Sequence, residues 1–187
     1  MQPETHLETA LDALATRADW RAVLDEIPAA TYVTDAEGAV TYWNRACVEL
    51  AGREPQLGRD RWCVTWKIYT TTGEFLPHDQ CPMADAIREK RVIRDAVAIA
   101  ERPDGSRIAF RPYPTPLFDD SGTLTGAVNI LIDVTEEQSS ALTEQAERCR
   151  RLAGALYSRE SNTVLQHMAE RFDQTVTELR KSAGNDR

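Results

Sequence analysis

Residues 30–44, ATYVTDAEGAVTYWN, constrain the fold of this chain more than any other stretch. Thr31, Val33 and the run Val40-Thr41-Tyr42-Trp43 supply the β-branched and aromatic residues of two strands. Asp35-Ala36-Glu37-Gly38 supplies the turn between them, with Gly38 free to take positive φ. Asn44 then stands where its side chain can accept a backbone N–H at the head of NRACVELAG. The apolar Ala46, Cys47, Leu50 and Ala51 of that segment recur at helical spacing.

Further along, Pro82 introduces the short helix ADAIREKR, whose Arg88, Lys90 and Arg91 suit the negative pole of its dipole. RDAVAIAER reads as a strand, Pro103-Asp104-Gly105 as a hairpin turn, and SRIAFRPYPTPLF as the next strand. That strand carries Pro112, Pro114 and Pro116 at every second position. Proline donates no ladder hydrogen bond, so one edge of the segment is unpaired or bulged. After the turn Asp119-Asp120-Ser121-Gly122, GAVNILIDV is the final strand; residues 52–76 read as irregular. Two strands, a helical middle and three antiparallel strands make an α+β domain.

Both flanks read as helical. From about residue 5 to 25, Leu7, Ala10, Leu11, Leu14, Ala18, Val23 and Leu24 form the stripe of one helix that Pro28 ends. After Thr135 one seam runs through Leu142, Cys149, Leu152 and Leu156, and a second through Leu165, Met168, Phe172 and Leu179. The step from Leu156 to Leu165 breaks the heptad, and Ser161 or Asn162 could cap a new helix there. Seams this short need a partner helix, which points to dimerisation or to an intramolecular hairpin.

At 187 residues the chain can hold one domain with a full core plus accessory helices. Its net charge of −8 leaves no basic excess for nucleic acid. No apolar run approaches the roughly 20 residues of a membrane span. The acidic, amphipathic start lacks a signal-peptide layout, so a cytoplasmic location with reduced thiols is expected. Cys47, Cys63, Cys81 and Cys149 form no CxxC pair, and no metal site is expected. No GxSxG, phosphate-binding loop, HExxH or kinase signature occurs, so no catalysis is expected. His6 lies in the leader. His167 is followed by Met168-Ala169 rather than by the residues that follow a kinase phosphoacceptor, and it reads as a helix-face histidine.

The opening strand, TD-x-x-G turn and Asn-capped helix resemble the start of a PAS sensory domain. The other end, GTLTGAVNILIDVTEEQ, resembles its last strand and the Asp-x-Thr signature, here Asp133-Val134-Thr135. The resemblance covers roughly residues 25–138. It implies a five-stranded antiparallel sheet with helices over one face, enclosing a cavity. The domain would span residues 28–135, with an N-terminal helix over 1–27 and signalling or dimerisation helices over 136–187. It further implies an N-terminal helix packed on the outer sheet face or in a dimer interface; capping a sheet edge is the plainer alternative. Asp133 and Thr135 would cap the following helix, pair with a nearby basic residue and relay change to it.

A pocket for a small ligand would have aromatic walls and a few oriented polar groups. Trp62, Trp66, Phe110 and Tyr113 are the aromatic candidates, Met83 a flexible filler and Asn129 the polar one. By alternation Ala127, Asn129 and Leu131 share one strand face, and the resemblance turns that face to the pocket. His78 or Cys81 would be the haem ligand if haem binds, and noncovalent flavin is a second cofactor reading; the light-sensing subtype's Gly-x-Asn-Cys-Arg-Phe-Leu-Gln run is missing. The reading is a cytoplasmic, bacterial-type PAS sensory and dimerisation module that relays pocket state to a downstream protein, as a homodimer. A haem or flavin sensor and the input fragment of a histidine kinase are the alternatives, although the SAGNDR tail reads as a complete protein's end.

Overall fold

A computed structural model describes residues 3–155 and 158–183. Its strands are β1 (Ala30–Asp35), β2 (Val40–Trp43), β3 (Lys67–Tyr69), β4 (Phe75–Leu76), β5 (Ala98–Glu101), β6 (Arg107–Pro112), β7 (Thr115–Phe118) and β8 (Leu124–Asp133). They form one sheet in the order β2-β1-β8-β6-β5-β3-β4, with β7 also paired to β8, and every pairing is antiparallel. The expected α+β class holds, but the sheet has eight strands rather than five. Two physical causes account for the difference. Pro112 pairs with Leu131 and Thr115 with Val128, so β6 and β7 keep one register on β8 and are halves of one strand interrupted at Tyr113-Pro114. The β3–β4 hairpin is an addition beyond β5, within residues read as irregular from sequence.

The helices are α1 (Pro3–Thr16), α2 (Trp20–Asp25), α3 (Arg45–Ala51), α4 (Pro82–Glu89), α5 (Thr135–Ala155) and α6 (Arg159–Ala183). The single leader helix is therefore two, broken where Arg17 and Asp19 pair with each other at 2.9 Å. The second helix of the C-terminal pair is opened by Ser158, whose hydroxyl accepts the Ser161 N–H, not by Ser161 or Asn162. Asn162 instead donates its amide to the Ala153 carbonyl, clipping the end of α5 to the start of α6.

Helices cover both sheet faces. On the inner face, Ala30, Tyr32, Ile108, Phe110, Ala127 and Leu131 pack with Cys47 and Leu50 of α3 and Met83, Ala84 and Ile87 of α4. Outside, Leu7, Ala10 and Leu24 from α1 and α2 pack on Val33, Val128 and Ile130. The rest of the outer face, Ile99, Ala109 and Ile132, is covered by α5 and α6. The two helical seams meet each other within the chain: Leu142, Ala146 and Cys149 pack with Ala169, Phe172, Val176 and Leu179. The intramolecular hairpin is thus the arrangement found. Leu152 and Met168 lie outside the seams and are exposed, while Leu156 and the tail from residue 184 fall outside the described residues.

Two close approaches fix the sheet. Gly126 runs so near β1 that a Cβ there would lie 2.0 Å from the Thr34 carbonyl oxygen. Asn44, 1% exposed, performs the expected cap and more. Its Oδ1 accepts from Cys47 N at 3.2 Å and Thr31 N at 3.0 Å. Its Nδ2 faces the Leu24, Ile27 and Ala29 carbonyls at 2.9–3.1 Å. Asn44→Ala should cost about 3 kcal/mol in denaturant unfolding, since five side-chain hydrogen bonds to backbone are lost at a buried site. Asn44→Asp should be no better at neutral pH, because it keeps the acceptor but turns a carboxylate on three carbonyls, and should recover in part when acid protonates it.

Candidate functional site

The inner core has one polar chain through its centre. Asn129 accepts the Tyr113 N–H at 2.9 Å through Oδ1 and donates through Nδ2 to the Tyr32 hydroxyl at 3.0 Å. Tyr32 in turn donates to the Trp62 carbonyl at 2.9 Å. Asn129 and Tyr32 are 1% and 0% exposed, so the two bonds of Asn129 are shielded from water and strong relative to surface bonds. The chain runs from the middle of β8 through β1 to the loop before β3. Its far end is strained: Trp62 has φ 66°, and its ring lies over Gly38, where an added Cβ would be 2.2 Å from ring carbons. The Trp62 N–H donates back to the Gly38 carbonyl at 2.7 Å. The hairpin glycine expected from sequence thus also makes room for the indole.

Three thiols surround this chain. Cys47, Cys63 and Cys81 belong to the same buried cluster as Tyr32. Cys63 Sγ lies 3.2 Å from Thr65 Oγ1, and Cys81 Sγ 3.9 Å from the Trp62 carbonyl. Burial raises all three thiol pKa values, that of Cys81 from its ordinary 9.0 to about 12, and raises the Tyr32 phenol as well. They are therefore protonated and poor nucleophiles at neutral pH. Among the described residues no group of three His, Cys, Asp or Glu side chains is placed to hold a metal ion.

Of the residues singled out in the sequence, Cys81, Met83 and Phe110 fall in the inner cluster, Trp62 packs against it, and Asn129 sits on the same face. Two do not belong there. Tyr113 lies with Val128 and Ile130 on the outer face, because it is three residues from Phe110 and an odd separation reverses a strand's side chains. Trp66 is 44% exposed, its ring 3.9 Å from the Lys67 ammonium at the surface. His78 sits on a 3₁₀ turn (His78–Gln80), its Nε2 buried without a hydrogen-bond partner among the described residues and its pKa lowered by burial.

Of the two haem-ligand candidates, Cys81 lies with its Sγ against the Trp62 carbonyl in the inner cluster, and His78 stands on the 3₁₀ turn near the Arg53–Asp60 pair.

At the exit of β8 the Asp133 carboxylate accepts the Thr135 N–H at 2.8 Å, as expected of a cap. Thr135 Oγ1 accepts the Ala109 N–H at 3.0 Å, and the Val134 N–H reaches the Ala109 carbonyl at 2.9 Å. The first turn of α5 is thereby bound to β6. The basic partner is not on Asp133: Arg111 pairs with Glu137 at 2.7 Å. Farther along, Arg107 of β6 joins Glu101 and the Glu178 carboxylate of α6, and stacks 4.2 Å from the Tyr69 ring.

Sequence reasoning missed Tyr32, though it lies between Thr31 and Val33 and so must face the other way. It also missed His6, which is 7% exposed and four residues before Ala10 on the α1 stripe. Two outcomes test the inner core. Gly38→Ala should lose about 3 kcal/mol in denaturant unfolding, from positive φ and from the indole it displaces. The thiols should make stability pH-dependent in one direction. Their folded pKa values are raised, so the contribution is complete below about pH 9 and is lost as pH rises toward 12. Comparing unfolding at pH 8 and pH 10, Cys81→Ala should shrink the alkaline loss by about 1 kcal/mol.

The solved structures with similar chain paths are remote. The Rhodobacter sphaeroides LOV protein is 14% identical, covering 100% of this chain and 99% of its own, with a TM-score of 0.46. The LOV domain of a blue-light activated histidine kinase from Erythrobacter litoralis is 22% identical, over 58% of this chain and 97% of its own, with a TM-score of 0.45. The light-state dimer of the fungal photoreceptor Vivid is 13% identical, over 67% and 93%, with a TM-score of 0.46. No curated protein matches the chain. At these scores the likenesses carry no weight for ligand or partner. The family described as PAS fold, however, matches residues 24–139, the span that holds the capped hairpin, the inner core and the Asp133–Thr135 exit. This chain belongs to the PAS family.

Proposed function

We propose that this chain is a cytoplasmic, bacterial-type sensory and dimerisation module with no catalysis of its own. The state of its inner chamber is passed through Asp133 and Thr135 to α5 and α6, and from there to a downstream signalling protein. The observation that carries the reading is the double attachment of the Val134–Thr135 backbone and hydroxyl to Ala109. Ala109 is flanked on β6 by Ile108 and Phe110, both in the inner cluster, while its own side chain lies under α5 and α6. A shift of β6 at the chamber therefore moves the root of the helical hairpin, a packed element of the kind that has discrete alternative positions.

In this reading the domain proper spans residues 28–135, with accessory helices over 1–27 and 136–187. Chamber ligand contacts come from Trp62, Cys81, Met83, Phe110 and Asn129. Homodimerisation draws on the exposed Leu152, Val164 and Met168 of the hairpin, 42–54% exposed, because the seam residues are already engaged. Among the described residues no helix is long and apolar enough to cross a membrane.

Thr135→Val should raise hydrogen exchange in α5 and α6 while leaving β1 and β8 protected. Equal protection in both helices would refute the relay. Removing everything after residue 135 should abolish the dimer and lower stability, since Ile99, Ala109 and Ile132 lose their cover. An unchanged dimer by light scattering would refute the assignment of dimerisation to these helices.

A further inference from the structure

Helical threonines of this chain settle their hydroxyls in one way. Thr9, Thr16, Thr143, Thr163, Thr175 and Thr177 each donate to the carbonyl four residues back, at 2.7–3.1 Å. Ser139 on α5 has the same option and does not use it. The residue is 5% exposed, and its Oγ is buried with no hydrogen-bond partner among the described residues. Buried hydroxyls without partners are rare and costly, so this one points to a partner that comes from outside the chain.

Ser139 lines a crevice of about 120 Å³ together with Thr135, Glu136, Ser140 and Arg180. Asn162 clips the end of α5 to the start of α6, so the start of α5 runs beside the end of α6, and the crevice lies between them. Its volume is well below the roughly 300 Å³ at which drug-sized sites begin, and it suits a small ion. The lining carries both signs of charge. The Arg180 guanidinium has no ion pair or hydrogen bond among the described residues, and α5 turns the positive end of its 21-residue dipole this way. The hydroxyls of Ser139 and Ser140 can each donate. Glu136 faces the same space, and its carboxylate is not paired with Arg180 or with any other described residue. An anion that only accepts would be repelled by that carboxylate. An anion that keeps a hydroxyl can donate to it while accepting from Arg180 and the serines.

We propose that this crevice binds a small oxyanion that carries its own proton, of the hydrogenphosphate or bicarbonate kind. Arg180 and the hydroxyls of Ser139 and Ser140 donate to its oxygens, and its O–H donates to Glu136. The Thr135 hydroxyl stays on Ala109. The bound ion bridges the first turns of α5 to the last turn of α6. Binding stands on the crevice alone and does not depend on the relay reading above.

Phosphate, bicarbonate, sulfate and nitrate, titrated separately into the full chain at neutral pH and constant ionic strength and followed by amide chemical shifts, test the proposal. Phosphate or bicarbonate should saturate, with shifts concentrated on residues 135–140 and around Arg180, and the tighter of the two identifies the anion. Sulfate and nitrate should bind at least about fivefold more weakly. Arg180→Gln and Ser139→Ala should each weaken the preferred anion about fivefold. Without added anion, Ser139→Ala should leave the denaturation midpoint unchanged or raise it, because it removes an unpartnered hydroxyl. Glu136→Gln should relax the choice, narrowing the preference over sulfate at least about threefold, since a carboxamide does not repel an anion and can donate to it. Sulfate binding as tightly as phosphate and bicarbonate would mark general attraction to a helix end and overturn the site. No saturation by either protonated anion would overturn it too, leaving a water as the partner of Ser139. Unchanged affinity in Arg180→Gln or Ser139→Ala, a lowered midpoint in Ser139→Ala, or an unaltered preference in Glu136→Gln would do the same.

Discussion

The fold hangs on one buried amide. Asn44 satisfies backbone groups from the end of α2, from the lead-in to β1, from β1 itself and from the first turn of α3. Beyond that amide these segments share few bonds, among them Thr31 Oγ1 to the Ala29 carbonyl and the Asn44 N–H to the Thr31 carbonyl, and buried backbone without partners is not tolerated. One side chain thus decides that the leader helices close over the outer face while α3 closes over the inner one. The rest of the inner architecture inherits its position from that choice.

The inner core repeats the device with Asn129. Here the amide bridges strands rather than helices, and it serves a place where the ladder is interrupted. Pro114 stands between β6 and β7, and the neighbouring Tyr113 N–H is shared between the Asn129 amide and the Ile130 carbonyl. The polar chain from Asn129 through Tyr32 to Trp62 then couples the middle of the sheet to a loop held in a left-handed conformation. A sheet assembled this way is stiff along β8 and sensitive where the loop meets the hairpin glycine.

What the sequence disclosed and what it concealed follow from range. Asn44 as a cap, Gly38 as a turn residue and the Asp133–Thr135 exit are local patterns, and local patterns were legible; both faces of β8 are apolar, so its inward face was not. The strand count was not, because β3 and β4 are three and two residues long and too short for any period. The leader break at 17–19 has no proline or glycine to mark it. The seams of α5 and α6 were visible, but a seam says only that it will be covered, not by what. Tyr113 and Phe110, an odd number of residues apart, lie on opposite faces of the sheet. The crevice of Thr135, Ser139 and Arg180 joins the first turns of one helix to the last turn of another, which no spacing rule could have assembled.

The prolines of the sixth and seventh strands bear on how copies of this protein can meet. Tyr113 points its N–H to β8, so in an alternating strand Pro112, Pro114 and Pro116 occupy the positions that would point donors away from it. No ladder bond to β8 is lost, and the outer margin of this stretch offers no proline N–H to an incoming strand. The Pro114 carbonyl, which could still accept one, is already taken by Arg94. Sheet-to-sheet polymerisation along that margin is therefore blunted by proline and by the Arg94 guanidinium together.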